Sequence, residues 1–387
     1  MSEIGPGLAR QVETYMRGLQ GGRAEVPFST AELERIAREK LSPEALAYIA
    51  GGAGREQTMA ANLEALERRR IVPRMARDCA SRDLSVTLFG RRLPSPFLTC
   101  PIGVLSMAHP EADLAVARAA AAVGAPMIIS NQASYPMEQI ADCCGDSPKW
   151  FQLYWGRSDE LVASLVKRAE AAGCEAVVVT LDTTILGWRC RDLDLGHLPF
   201  LRGQGIAQYT SDPVFRAMLS EPPEKNPMAA AVMFTQIYSD PGLNWEKLKT
   251  IRDMTRLPVL VKGVQHPDDA ALAVQHGFDG VIVSNHGGRQ VDGAVGSAEA
   301  LEQCAERVGG RVPVLFDSGV RSGADAFKAL ALGADAVCVG RPYVWGLAAK
   351  GQAGVEAVLK NMIAELDLTL ALSGCASVAE ARRAKLA

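Results

Sequence analysis

The feature that most constrains the fold is a recurring alternation of short apolar runs and alanine-rich helical segments. Eight apolar runs follow one another along the 387-residue chain, at 97–101, 126–130, 150–154, 176–181, 258–262, 280–284, 312–316 and 336–339. Strands that are apolar throughout, rather than at every second position, are typical of parallel sheets covered by helices on their faces. Eight such strands joined by helices predict an α/β fold, a closed (β/α)8 (TIM) barrel.

The segment before this repeat is expected to be helical. Residues 1 to about 27 read as a loosely attached arm, and two short helices follow it. Ser29 lies three residues before a glutamate in a capping box, and Ser42 precedes a proline in the first helical position. We predict that residues 1–75 form this N-terminal extension, which packs on a barrel formed by residues 76–387.

One connection in the repeat is much longer than the others. Between Asp182 and Leu257 the chain runs for about 75 residues before the fifth strand, whereas ordinary connections are far shorter. A helix predicted over 244–254 accounts for the end of it. We predict that residues 183–243 form a lid over the barrel mouth, with a surface excursion as the alternative.

Composition excludes several classes of partner. A net charge of −3 gives no basic field for nucleic acid, and no apolar run approaches the length of a membrane span. The nine cysteines are odd in number and contain no Cys-x-x-Cys motif, which suits a reducing compartment. We therefore expect a cytoplasmic protein without nucleic-acid or membrane partners and without a bound metal.

Polar residues collect where the predicted strands end, which is where barrel enzymes carry their chemistry. His286 and Arg289 follow the sixth strand across a pair of glycines, placing a base beside an anion-binding group, and Arg189 adds a second cation. A lone His-x-x-Arg is most often structural. Here other strand ends add Gly103, Ser130, Gln152, Tyr154, Thr180, Asp182, Lys262 and Ser284.

The last two strand ends predict a phosphate site. Glycine-rich turns lead from each strand into a helix and carry an arginine, with Asp317, Gly319 and Arg321 in one turn and Gly340 and Arg341 in the other. Backbone amides at a helix start and guanidinium groups both bind phosphate. The pattern leaves open whether this phosphate belongs to a substrate or to a cofactor.

Six segments at these strand ends resemble one known family, the FMN-dependent 2-hydroxy acid oxidases and dehydrogenases. The similar segments are 151–154, 180–182, 260–263, 284–290, 317–323 and 340–342, and the likeness extends from about residue 48 to residue 375. The resemblance implies FMN as cofactor, a small L-2-hydroxy acid as substrate and O2 as the electron acceptor. It also implies a homo-tetramer or homo-octamer.

The resemblance also implies a role for each matching residue. His286 is the base that removes either the C2 proton or the hydroxyl proton, Asp182 stabilises the resulting imidazolium, and Tyr154 bonds the substrate oxygen. The substrate carboxylate is expected to be held by Arg289, Arg189 and Tyr48. The residues expected to bind FMN are Lys262, Ser130, Gln152, Thr180, Gly103, Ser284, Asp317, Gly319, Arg321, Gly340 and Arg341.

Within the family, the segments 48–52, 101–104, 187–192, 199–203 and 212–215 are most similar to lactate 2-monooxygenases. That likeness implies oxidative decarboxylation of lactate to acetate, CO2 and water, with the lid retaining the 2-oxo acid. Gln132 departs from the pattern, since several relatives have an aromatic residue there. The alternatives are an oxidase that releases 2-oxo acid and H2O2, a dehydrogenase with another acceptor and, more distantly, a non-redox phosphate-binding barrel isomerase.

Overall fold

The computed structural model describes residues 5–387 and contains a closed barrel of eight parallel strands in the order β10-β3-β4-β5-β6-β7-β8-β9. Each of the eight predicted strands is present, so the (β/α)8 prediction is confirmed. The barrel strands are β3 (Phe97–Thr99), β4 (Met127–Ile129), β5 (Lys149–Tyr154), β6 (Val177–Thr180), β7 (Val259–Val264), β8 (Gly280–Val283), β9 (Val314–Phe316) and β10 (Ala336–Val339).

A two-stranded hairpin, β1 (Val86–Leu88) and β2 (Arg91–Leu93), precedes the barrel and was not predicted. Leu88 and Leu93 belong to the same apolar cluster as the residues inside the barrel, and Phe89 packs against Trp150 near the start of β5. The hairpin therefore closes the amino-terminal end of the barrel, and the opposite end is left for the site.

Helices surround the barrel and fill the connections. They are α1 (Pro6–Leu19), α2 (Thr30–Lys40), α3 (Pro43–Ala50), α4 (Gln57–Arg68), α5 (Ala112–Ala122), α6 (Met137–Cys144), α7 (Asp159–Ala171), α8 (Cys190–Asp194), α9 (Ala207–Thr210), α10 (Pro213–Ala217), α11 (Pro227–Ile237), α12 (Trp245–Leu248), α13 (Pro267–Gln275), α14 (Ser297–Val308), α15 (Gly323–Ala331), α16 (Arg341–Leu372) and α17 (Val378–Ala381). Short 3-10 turns lie at Leu105–Met107, Pro199–Arg202, Lys249–Asp253 and His286–Gly288. Within residues 5–387, every helix is too short or too polar to cross a membrane.

The N-terminal helices begin where the capping residues predict. The hydroxyl oxygens of Ser29 and Ser42 accept hydrogen bonds from the backbone of the first turns of α2 and α3. Contrary to expectation, α1 is not loosely attached, because it packs on α16 and the amide of Gly7 donates to buried Asp367 at 2.9 Å. The first four residues of the predicted arm lie outside the described part of the chain.

The long insertion is a packed unit between β6 and β7. Phe200, Tyr209, Phe215 and Phe234 are all buried, and the rings of Tyr209 and Phe234 lie 4.7 Å apart. The predicted helix over 244–254 is wrong in extent, since α12 ends at Leu248 and the chain continues as a 3-10 turn. Thr250 and Ile251, both β-branched, fall in this turn, and β-branching disfavours the α-helix.

Candidate active site

A cavity that opens to solvent lies at the carboxyl ends of the strands. Thirteen of the predicted site residues line it, namely Tyr48, Gly103, Tyr154, Thr180, Arg189, Lys262, His286, Arg289, Asp317, Gly319, Arg321, Gly340 and Arg341. The remaining four, Ser130, Gln152, Asp182 and Ser284, are buried or only slightly exposed. Ser130, Asp182 and Ser284 form hydrogen bonds to the lining residues Gln132, His286 and Lys262. Gln152 bonds to Ser130 behind them. The structure thus brings the predicted residues to one place, while their individual roles stay predictions.

His286 and Asp182 form the polar pair at the centre of the cavity wall. Nδ1 of His286 lies 2.7 Å from Oδ1 of Asp182, and Nε2 bonds to no residue between 5 and 387. Burial lowers the pKa of His286 below its ordinary 6.5, and Lys262 and Arg189 add to this against the opposing pull of Asp182. Burial opposes ionisation of Asp182, yet His286 and Lys262 hold its pKa below the ordinary value. A neutral imidazole therefore donates through Nδ1–H and keeps Nε2 free to accept a proton.

Thr183 completes this pair and was missed by the sequence analysis. Its hydroxyl lies 3.0 Å from Oδ1 of Asp182 and 3.3 Å from Nδ1 of His286, and its side chain lines the cavity. Its place directly after Asp182 was the available signal, because the residue that follows a strand-end carboxylate shares its environment.

Two arginines and a tyrosine stand beside the histidine. Nη1 of Arg289 donates to the carbonyls of Tyr48 and Gly51, and its guanidinium lies 4.8 Å from the centre of the Tyr48 ring. Arg189 donates to the Arg289 carbonyl at 3.3 Å and to the side-chain oxygen of Gln290 at 3.0 Å. Burial first, and repulsion by Arg189 second, lower the pKa of Arg289 to about 10. Two close cations fixed by neutral groups form a site for a carboxylate.

Lys262, which lines the cavity, is held by a buried network of hydrogen bonds. Its Nζ donates to Ser284 Oγ at 2.8 Å and pairs with Asp317 at 3.0 Å, while Ser284 Oγ donates to the same carboxylate at 2.5 Å. Burial opposes the charge on Lys262, but Asp317 and Asp182 keep its pKa above the ordinary value. Lys262 therefore holds a fixed positive charge at the barrel mouth.

Two buried polar atoms at the ends of β5 and β6 lack partners among residues 5–387. The oxygen of the Gln152 side chain accepts from the Asn131 amide at 3.0 Å, which leaves its nitrogen free, and the hydroxyl of Thr180 has no partner either. Leaving a buried polar group unpaired costs about 1–3 kcal/mol. Thr180 borders the cavity and Gln152 lies beside it, as expected if the polar edge of FMN satisfies both atoms.

The two arginine-bearing turns border the cavity from the β9 and β10 side. Arg341 donates at 3.0–3.1 Å to the backbone carbonyls of Ile49, Gly51 and Gly287. Within residues 5–387, the guanidinium of Arg321 bonds only to the neighbouring Val320 carbonyl, at 3.0 Å. Burial first, and then repulsion by Arg289 and Arg321, lower the pKa of Arg341 to about 9. Among residues 5–387 no carboxylate pairs with either guanidinium, so the donors present fit the phosphate of FMN.

The two turns differ in whether packing requires a glycine. Gly319 has φ 99°, and a Cβ there would lie 2.6 Å from the Asn62 carbonyl oxygen of α4. At Gly340 a Cβ would meet nothing closer than 3.7 Å. Only the first turn therefore needs glycine for packing, and the second is free of that constraint.

Gly103 also has a packing reason that is independent of any cofactor. A Cβ there would lie 2.8 Å from the Cβ of Gln132 and 2.9 Å from its carbonyl oxygen. Gln132 itself lines the cavity, together with Leu186 and Tyr238 from the insertion. Neither of these last two residues could be identified from the sequence, because the insertion has no repeat that predicts which of its residues line the cavity.

Comparison with known proteins agrees with this geometry. The model of the family described as FMN-dependent dehydrogenase matches residues 37–387. The chain is 44% identical to L-lactate oxidase of Lysinibacillus sphaericus over 356 residues, covering 92% of each chain. It is 42% identical to 4-hydroxymandelate oxidase of Amycolatopsis orientalis over 355 residues, covering 92% of this chain and 97% of the relative.

Solved structures give the same assignment. The crystal structure of mandelate oxidase superposes with a TM-score of 0.84 at 40% identity, covering 94% of this chain and 99% of the other. The family match excludes the non-redox barrel that the sequence left as a distant alternative. The chain belongs to the FMN-dependent dehydrogenase family and is an FMN-dependent 2-hydroxy acid oxidoreductase.

Proposed function

We propose that the enzyme oxidises a small, lactate-like L-2-hydroxy acid with O2 as acceptor and acts as a lactate 2-monooxygenase. The observation that carries the substrate class is the juxtaposition of a base, His286, with a pair of cations, Arg289 and Arg189, in one cavity. A 2-hydroxy acid carries its carboxylate and its hydroxyl group on the carbon that is oxidised, so it needs a base and an anion-binding group side by side.

The carboxylate is the handle by which the substrate is oriented. Arg289 and Arg189 bind it as cations, and the hydroxyl of Tyr48, which lines the same cavity, donates to it. A monoanion bound here also offsets burial and the repulsion by Arg189, which together lower the pKa of Arg289. A bound carboxylate is thus favoured both by its hydrogen bonds and by the charge of the two arginines.

His286 moves the proton and its neighbours stabilise the result. Nε2 accepts the proton, and the imidazolium formed is stabilised by Asp182 through Nδ1, at 2.7 Å. The Tyr154 hydroxyl, whose pKa burial raises, stays protonated and donates to the substrate oxygen as it becomes a carbonyl. FMN, when bound, would supply a two-electron acceptor that O2 can reoxidise. Lys262, Thr180 and Gln152 would hold its ring, and Arg321 and Arg341 would hold its phosphate.

Retention of the product decides between a monooxygenase and an oxidase. The side chain of Gln290 donates to the carbonyls of Asp182 and Ile185 at 2.7 and 2.9 Å, and its oxygen accepts from the Gly187 amide at 3.3 Å. Residues 183–188, called the mouth loop below, are thereby held beside the cavity, which Thr183 and Leu186 of this loop line. A closed loop supports decarboxylation of the 2-oxo acid by H2O2 before either escapes, so lactate and O2 give acetate, CO2 and water.

Product analysis tests the proposal. With L-lactate and one equivalent of O2, we expect acetate and CO2 in equal amounts and little free peroxide. Stoichiometric pyruvate and H2O2 would instead identify a simple oxidase, the alternative that the name of the L-lactate oxidase relative favours. Catalase added during turnover separates the two further, since it changes the products only when peroxide leaves the enzyme.

The enzyme is proposed to be a cytoplasmic homo-oligomer. The resemblance supports a homo-tetramer or homo-octamer, which the native mass of the FMN-loaded enzyme tests. All nine cysteines are free thiols, and this supports a reducing, cytoplasmic location.

A further inference from the structure

Gln132 is a polar side chain of the cavity wall that the mechanism above leaves unused. The residue is 7% exposed and follows β4, and its amide group bonds to no residue between 5 and 387. Its backbone is fixed on both sides, because its N–H donates to Ser130 Oγ at 3.1 Å and its carbonyl accepts from the Val104 amide at 2.9 Å. The backbone therefore fixes where this side chain enters the cavity, and its amide group is left to bond a ligand.

The barrel order places Gln132 across the mouth from the reacting groups. In the closed ring β4 and β8 are four strands apart, so the strand that precedes Gln132 is opposite the strand that precedes His286 and Arg289. An acid whose carboxylate is bound at Arg289 and whose C2 faces His286 extends its remaining substituent toward that opposite wall. Leu186 and Tyr238 line the same cavity and can contact the carbon chain.

We propose that Gln132 selects substrates with a hydrogen-bonding group on C3, so that the preferred substrate is a polar acid such as L-2,3-dihydroxypropanoate. The inference rests on the proposed function and narrows its substrate class. A glutamine amide offers two donors and one acceptor carbonyl, and therefore satisfies a hydroxyl in either direction. A methyl group in the same place would bury the amide without a partner, and sites built on hydrogen bonding reject such analogues.

Two acids that differ only in this group provide the test. L-2,3-dihydroxypropanoate and L-2-hydroxybutanoate are nearly isosteric and exchange a hydroxyl for a methyl on C3. With the FMN-loaded enzyme, kcat/KM and the anaerobic rate of loss of the flavin absorbance are measured for both. We expect the dihydroxy acid to be preferred by about 10- to 100-fold.

Variants assign the preference to the side chain. Gln132→Met keeps length but removes the hydrogen-bonding atoms, and we expect the ratio of the two kcat/KM values to fall to one or below. Gln303→Met makes the same change on the exposed face of α14 and should keep the wild-type ratio. Gln132→Leu serves in place of the methionine variant if that protein loses FMN.

Each outcome is decisive. A wild-type ratio near or below one overturns the inference, and so does a ratio that Gln132→Met and Gln132→Leu leave unchanged. In both cases the flavin is still reduced by 2-hydroxy acids, so the proposed function survives. If no 2-hydroxy acid reduces the flavin, the proposed function fails and this inference fails with it.

Discussion

His286 gains its function from its neighbours more than from its own loop. It has a left-handed backbone, with φ 58°, and its amide donates to Ser284 Oγ at 3.0 Å, which fixes where the ring begins. Asp182, from a different strand end, then fixes the orientation of the ring. The sequence predicted both residues because each directly follows an apolar strand. It did not predict Thr183: the position next to Asp182 was a signal, but the contact of Thr183 with His286 at 3.3 Å depends on the distance between two strand ends.

The lowered pKa of His286 makes a prediction about pH. A base must be unprotonated to act, so activity falls as the pH drops through its pKa. Because burial places this pKa below 6.5, we expect the acid limb of kcat/KM to lie below pH 6.5. Asp182→Asn removes a group that raises the pKa, so the limb should move to still lower pH while kcat falls by about 10²- to 10⁴-fold.

The measurement is kcat/KM for L-lactate from about pH 4.5 to about pH 8.5, roughly two units either side of the pKa of an ordinary histidine. Asp194→Asn removes an exposed carboxylate from the same insertion and serves as the control. An acid limb above 6.5 in the wild type, or one that moves upward in Asp182→Asn, would contradict the assignment of His286 as the base.

At the scale of elements, the barrel could be predicted and the insertion could not. Each barrel strand carries its own apolar signal, and alanine-rich segments between strands identify the surrounding helices. The insertion contains helices of four or five residues, such as α8, α9 and α10, which are too short to show a helical period. Tertiary packing alone therefore decides that Leu186 and Tyr238 of the insertion line the cavity.

The mouth loop gives a prediction at this scale. Gln290→Leu removes the hydrogen bonds that hold residues 183–188 beside the cavity, and with them the bond from Arg189 to the same side-chain oxygen. If a closed loop retains the 2-oxo acid, this variant should release a larger fraction of pyruvate and H2O2 from lactate. The measurement is the ratio of acetate to pyruvate.

A matched control comes from the same loop. Trp188, the last residue of the mouth loop, is 71% exposed. Trp188→Ala therefore changes the loop without removing those hydrogen bonds, and it should keep the wild-type ratio of acetate to pyruvate. An acetate-to-pyruvate ratio that is the same in Gln290→Leu and wild type would show that the loop does not govern retention.

The charge of the whole molecule is distributed unevenly around the site. The net charge is −3, yet Arg189, Arg289, Arg321 and Arg341 line one cavity, and among residues 5–387 no carboxylate forms an ion pair with any of them. Like charges held together cost free energy until anions enter. If the FMN phosphate and the substrate carboxylate bind at these arginines as proposed, they supply two such anions, and we expect binding to stabilise the folded protein.

Thermal unfolding measures this coupling. FMN at about 100 times its Kd should stabilise the apoprotein by about 2.7 kcal/mol, and inorganic phosphate should stabilise it less. Arg321→Gln should weaken FMN binding and reduce the shift in Tm, whereas Arg157→Gln, at an exposed position, should not. An FMN-induced shift that is equal in wild type and Arg321→Gln would remove Arg321 from the phosphate site.

The most direct test of the central claim, that His286 faces an acid bound beside FMN, is anaerobic mixing of the FMN-loaded enzyme with L-lactate. The wild type should lose its yellow absorbance, and His286→Ala should retain FMN but be reduced at least about 10²-fold more slowly. The account is contradicted if no 2-hydroxy acid bleaches the wild type, or if His286→Ala bleaches at the wild-type rate.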